Sequence, residues 1–152
     1  MKKYRVAILA VDGFEEVELT EPQRAFKEAG IEVDVISQKS GAIHGIRHVD
    51  LGNKVNVDRT FADAQADDYD AVVLPGGVVN SGAIRLIPEA QSFVKRANAS
   101  HKLIAVICHG GWLPFMTHTV SERTARLRAS VARRLLKSAA ACSGGILERA
   151  CP

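Results

Sequence analysis

The chain has 152 residues, which suits one domain with a core of its own. Hydrophobic residues make up 47% and charged residues 24%, an ordinary globular balance, and no apolar run reaches the length of a membrane span. The net charge of +3 is unevenly spread: residues 1–116 carry 13 Lys+Arg against 15 Asp+Glu, and residues 117–152 carry 7 against 2.

Arg5 to Val11 is an apolar run and reads as the first strand; Asp12, Glu15 and Glu16 interrupt it too early for a signal peptide. Asp12-Gly13-Phe14 is a turn. Glu15 to Ala29 reads as a helix, with Leu19, Pro22, Ala25, Phe26 and Ala29 at three- and four-residue spacing and Gly30 as its stop. Pro22 predicts that regular hydrogen bonding begins late in this segment. Glu32 to Ser37 alternates polar and apolar and reads as a second strand near an edge. Gly41 to Val57 places three glycines between β-prone pieces and reads as a hairpin excursion. Asp58 to Asp70 reads as loop with a helical turn.

Ala71 to Leu74 is a third core strand, closed by Pro75-Gly76-Gly77. Pro88 opens a helix to about Asn98, with Ala90, Phe93, Val94 and Ala97 on one face. Leu103 to Ile107 is a continuous apolar run, predicted to be a strand buried on both faces. The order of elements predicts an α/β fold: an open, doubly wound parallel sheet of flavodoxin type.

In such a sheet, sites form beyond the carboxyl ends of the strands. Three of those ends carry distinctive groups: Asp12 to Glu18, Leu74 to Gly77, and Cys108-His109-Gly110-Gly111. A cysteine between a buried strand and small residues resembles a nucleophile elbow, where a helix start would favour thiolate. Backbone N–H groups of Gly77 and His109 could form an oxyanion hole beside the sulfur. Glu16 reads as a solvated acid in a helix's first turn. His44, His48, His101 and His118 show no metal-ligand spacing, and no metal is expected. Three cysteines, two of them near the C-terminus, argue against a secreted disulfide framework and for a reducing cytoplasm.

Asp12-Gly-Phe-Glu-Glu-Val-Glu-Leu-Thr-Glu-Pro22, Leu74-Pro-Gly-Gly77 and Ala105-Val-Ile-Cys-His-Gly-Gly-Trp112 resemble the three signature segments of the PfpI-type intracellular protease family. That family lies in the superfamily of the parkinsonism-associated deglycase and is similar to class I glutamine amidotransferase domains. The resemblance covers roughly residues 4–113. It implies a nucleophile at Cys108, its histidine at His109, and an acid against the thiol at Glu18, with Glu15 the neighbouring candidate. A carboxyl pressed against a thiolate does not ionise cheaply, so Glu18 is expected to be protonated and to donate to sulfur. Gly76, Gly77 and Gly110 are expected to form the oxyanion or substrate-binding part of the site.

The implied function is a cofactor-free cysteine enzyme. It would act on reactive carbonyls such as methylglyoxal or glycated groups, or as an intracellular cysteine peptidase on peptide-like acyl groups. The alternative is a catalytically dead or redox-sensing stress-response module. The family also implies a homo-oligomer. Its protease-like members carry an acid just after Pro-Gly-Gly, and Val78-Val79-Asn80-Ser81-Gly82 has none.

From about residue 117 the composition shifts. Ser121 to Ala141 is nearly all Ala, Arg, Ser, Leu and Val, and residues 117–152 read as a basic tail, helical or disordered, separate from the domain at 1–116. Ser121 could cap its helix and Gly144-Gly145 end it. Arg/Ala/Ser enrichment is also what GC-rich codons give out of frame, and a frame-shifted, incomplete C-terminal part is the favoured reading over a genuine basic helix. The stretch lacks interleaved aromatics, which argues against nucleic acid.

Overall fold

A computed structural model describes residues 3–119. The tail's helix with its Ser121 cap and Gly144-Gly145 stop, its shifted frame and its cysteines Cys142 and Cys151 lie outside the described residues.

Five parallel strands form the main sheet: β1 (Arg5–Leu9), β3 (Glu32–Ser37), β6 (Arg59–Thr60), β7 (Ala71–Leu74) and β8 (Leu103–Val106). Their order is β6-β3-β1-β7-β8. The chain runs outward from β1 to β3, then crosses back so that β7 pairs with the other side of β1, Val6 against Ala71 and Ile8 against Val73. That reversal opens a crevice beyond the carboxyl ends of β1 and β7, where a doubly wound sheet binds its ligands.

Alternation along β1 feeds two cores. Ala7 and Leu9 join Val72, Leu74 and the buried face of α3 (Pro88–Ala99), which presents Ala90, Phe93, Val94 and Ala97. Val6 and Ile8 join Phe14, Leu19, Val35 and Val73 on the opposite face, with Phe26 of α1 (Glu16–Glu28) packed against them. The hairpin β4 (Gly41–Arg47) and β5 (Asp50–Val57) forms a second small sheet with β2 (Phe14–Glu15). It closes the second core through Ile43, Val55 and Val57.

Three local expectations change. Pro22 lies inside α1, which is already helical from Glu16. Its fixed φ suits a helix, and its missing N–H withdraws a single donor, that to Glu18 C=O, from a helix held by packing. The run from Leu103 is only partly buried: Ile104 faces one core and Leu103, Ala105 and Ile107 pack against the other, but Val106 is 44% exposed, because β8 is the last strand of the sheet among the described residues. Glu16 is no solvated acid. Its carboxylate takes hydrogen bonds from Arg47 Nε and Nη2 and from Asn53 N and Nδ2, and it clamps the hairpin to the start of α1. Those partners hold its pKa below the ordinary value, the Arg47 hydrogen bond first.

Two short elements carry no strong sequence signal. β6 pairs alongside β3 through two residues, Arg59 opposite Ile36 and Thr60 opposite Ser37, and α2 (Val78–Ile84) follows Gly77. Valine, asparagine, serine and glycine are poor helix formers, so α2 exists because tertiary contacts hold it. Residues 117–119 continue the structure past α4 (Trp112–Met116): Thr117 and Thr119 are buried, and both hydroxyls donate to Pro114 C=O at 3.1 Å.

Candidate active site

The turn after β8 is built by backbone geometry. Ile107 N–H donates to Leu74 C=O at 3.0 Å, continuing the β7–β8 pairing. Cys108 then takes φ +48°, the left-handed region. A non-glycine residue there costs about 1–3 kcal/mol, and such strain persists only where the surroundings fix it. A single turn, Cys108–Gly111, follows and leads into α4. The helical segment behind the sulfur is short, so local N–H groups matter more here than a long helix dipole. Gly110 shows what holds the turn down: a Cβ at that position would overlap the Leu74 carbonyl. Its own N–H donates to Ile107 C=O at 2.9 Å.

Cys108 is exposed. Its sulfur lies 3.1 Å from His109 Nδ1, within hydrogen-bond reach. The His109 ring meets Trp112 edge-on, with centroids 5.3 Å apart, and the Arg85 guanidinium lies 5.5 Å over the other ring, that of Trp112. Trp112 thus touches the His109 ring and also carries the Arg85 cation over its face.

Gly76 is the meeting point of the site. A Cβ there would come within 2.6 Å of Glu18 Oε2, 3.0 Å of Cys108 Cβ and 3.0 Å of His109 N. Only a hydrogen fits, so the acid, the thiol-bearing residue and a backbone donor converge on one atom-sized space. Glu18 Oε2 accepts the Gly76 N–H at 2.6 Å. Burial pushes the Glu18 pKa up; the Gly76 hydrogen bond opposes this, the nearby Glu15 charge adds to it, and His109 pulls the other way. Glu15 faces the hairpin, where its carboxylate accepts His48 N–H at 3.2 Å, while its backbone N–H donates to Gly76 C=O at 3.3 Å.

The amides of Gly76 and Gly110 are therefore engaged, and these residues contribute chiefly by lacking a side chain. Gly77 adopts φ +87° with its Cα 's missing substituent aimed at Gly13 C=O and Glu15 N–H, 2.5 and 2.7 Å from an added Cβ. Asn80 carries no motif of its own. It is 1% exposed, and its carboxamide bonds Val11 N–H, Pro75 C=O and Gly76 C=O. A lone asparagine after two valines gives no pattern from which those partners could be read.

Comparison with known proteins agrees with this geometry. Residues 4–144 match the model of the DJ-1/PfpI family. Over 106 residues the chain is 44% identical to a protein of Pyrococcus abyssi named a deglycase, across 70% of this chain and 61% of that relative. It is 34% identical over 106 residues to YraA of Bacillus subtilis, provisionally named a cysteine protease, across 70% of this chain and 60% of that one. The chain thus spans about six-tenths of the length of these curated relatives. A solved two-domain protein of Anabaena variabilis, with DJ-1/ThiJ/PfpI-like and ferritin-like domains, superposes with a TM-score of 0.72 at 27% identity. That match covers 90% of this chain and 38% of the other. The signature segments, the sheet order and the family match coincide on the same residues, and the chain belongs to the DJ-1/PfpI family.

Proposed function

We propose that the chain is a cysteine enzyme acting on small reactive carbonyls, with Cys108 as nucleophile. The observation that carries this is the convergence of Glu18 Oε2, Cys108 Cβ and His109 N on Gly76. The deglycase name of the Pyrococcus abyssi relative supports the substrate class.

The thiolate adds to an aldehyde carbon of methylglyoxal. A C–S bond forms, the carbonyl pair moves to oxygen, and Gly77 and His109 N–H groups hold that oxygen until it is protonated. Glu18 or His109 then moves a proton between the two carbons, which turns the adduct into a thioester. Water releases it as the hydroxy acid and restores the thiol. Methylglyoxal and water become lactic acid, a redox-neutral change that side chains alone can conduct. The same nucleophile and oxyanion donors would serve glycated groups or a peptide-like acyl group, with His109 protonating the leaving amine. A reducing cytoplasm keeps such a thiol in its working state. Among the described residues no helix is long and apolar enough to cross a membrane.

The test is turnover of methylglyoxal and of a peptide substrate by the wild-type chain and by Cys108→Ala. The substitution is expected to abolish both activities. A wild-type chain inactive on both, beside an active full-length relative, refutes the reading. The exposure of Cys108 favours one other use, redox sensing. Selective sulfinic acid at Cys108 under mild peroxide, without turnover, would select it.

A further inference from the structure

We propose that Asn80 is a positioning residue for this site: its buried carboxamide fixes both peptide planes of the Pro75-Gly76-Gly77 turn, so that Gly76 N–H is aimed at Glu18 and the direction of Gly77 N–H is set.

The hydrogen bonds define the amide's orientation. Val11 N–H, just past β1, can be met only by an oxygen, and Asn80 Oδ1 accepts it at 2.8 Å. Nδ2 then faces two carbonyls and donates to Pro75 O at 3.1 Å and Gly76 O at 3.0 Å. Both amide hydrogens and the oxygen are thereby in use. The backbone is tied in as well, since Asn80 N–H donates to Gly13 C=O at 3.3 Å and Ser81 N–H to Gly77 C=O at 2.9 Å.

A trans peptide is planar, with its C=O and N–H pointing in opposite directions. Holding Pro75 C=O toward Asn80 therefore turns the N–H of the same unit, that of Gly76, to the opposite side. Glu18 Oε2 lies there, 2.6 Å away. Gly76 C=O is held by Asn80 Nδ2 and Glu15 N–H together, which turns Gly77 N–H away from both. Glycine has no side chain to resist a peptide flip, so in Gly76-Gly77 an external hydrogen bond must choose the plane. Asn80 makes that choice at both units. The Glu18 half of this role stands independently of the reaction; the Gly77 half rests on the proposed oxyanion hole.

The experiment uses the full chain with Asn80→Ala and Asn80→Leu, neither of which adds charge near Glu18. The first readout is the titration of Glu18, followed by carbon NMR of glutamate-labelled protein and assigned by the signal lost in Glu18→Gln. Glu18 faces the Glu15 carboxylate, His109 and Gly76 N–H. Loosening Gly76 N–H removes the bond that opposes burial, so Glu18 is expected to titrate at higher pH in both variants. The second readout is methylglyoxal turnover: kcat should fall about 10- to 100-fold, less than or near the loss of one oxyanion donor, with KM within about 2-fold. Val94→Ala, a truncation in the α3 core, should lower the melting temperature without moving either readout. A folded Asn80 variant with the wild-type Glu18 titration overturns the proposal. Failure of both variants to fold assigns Asn80 to the fold alone and overturns it too. A wild-type chain without turnover sinks the proposed reaction but leaves the Glu18 titration as the test of this role.

Discussion

Glu18 carries the conflict on which this site depends. Burial and the Glu15 charge favour its neutral form, and the Gly76 hydrogen bond favours the charged one. A carboxyl whose pKa is raised in the folded state adds stability below its ordinary value of 4.5 and loses it as pH rises through the folded value. Glu18→Gln keeps an acceptor for Gly76 N–H and cannot ionise. Its melting temperature should therefore exceed that of the wild type at pH 7, with the gap closing as pH falls below the ordinary carboxylate range. Turnover should drop by about 100-fold or more, the usual worth of a positioned acid or base. Equal melting curves at both pH values would show that folding does not raise the Glu18 pKa. Cys108 and His109 could be picked out from sequence because a cysteine-histidine pair directly follows a strand end, whereas Glu18 was reached through the family resemblance, with Glu15 beside it as a candidate. Asn80 could not, since its worth comes from Val11, which is 69 positions away.

Among the elements, strands with continuous or alternating apolar residues were legible, as were α1, the hairpin and α3. What sequence concealed was α2 and the half-exposed state of β8, because one depends on contacts across the chain and the other on how many strands follow. The turns between elements set the site's precision, and two glycines separate space from propensity. Gly110 sits against the Leu74 carbonyl, so Gly110→Ala must lift the Cys108 turn off β7. The expected cost is about 1–3 kcal/mol or more in urea unfolding, with Cys108 reactivity altered. Gly82 lies inside α2 with nothing within 4 Å of an added Cβ. Gly82→Ala should stabilise by roughly 0.5–1 kcal/mol, the helix-propensity difference, and leave Cys108 reactivity alone. Matching effects at the two positions would mean that the turn is not anchored through Gly110.

For the whole molecule, the crevice at β1 and β7 brings the acid, glycine and cysteine segments together, while β8 leaves apolar surface beside them. Trp112, Phe115 and Met116 are 38%, 72% and 46% exposed, and with Arg85 they line a shallow cleft of about 340 Å3. Val106 is 44% exposed, and a Cβ added at Gly111, at the head of the same helix, would meet its Cγ1 at 3.5 Å. Among the described residues these side chains leave an apolar face exposed, the kind of surface that association covers. We expect a second copy of the chain to cover it, since a twofold pair can bury one such face against itself. Light scattering should then give a mass that rises with concentration toward a dimer. Phe115→Glu and Met116→Glu each place a charge on the face and should return the mass to that of a monomer, with the melting temperature little changed at low concentration. A monomeric mass at every concentration, unaffected by either substitution, rules out self-association through this face.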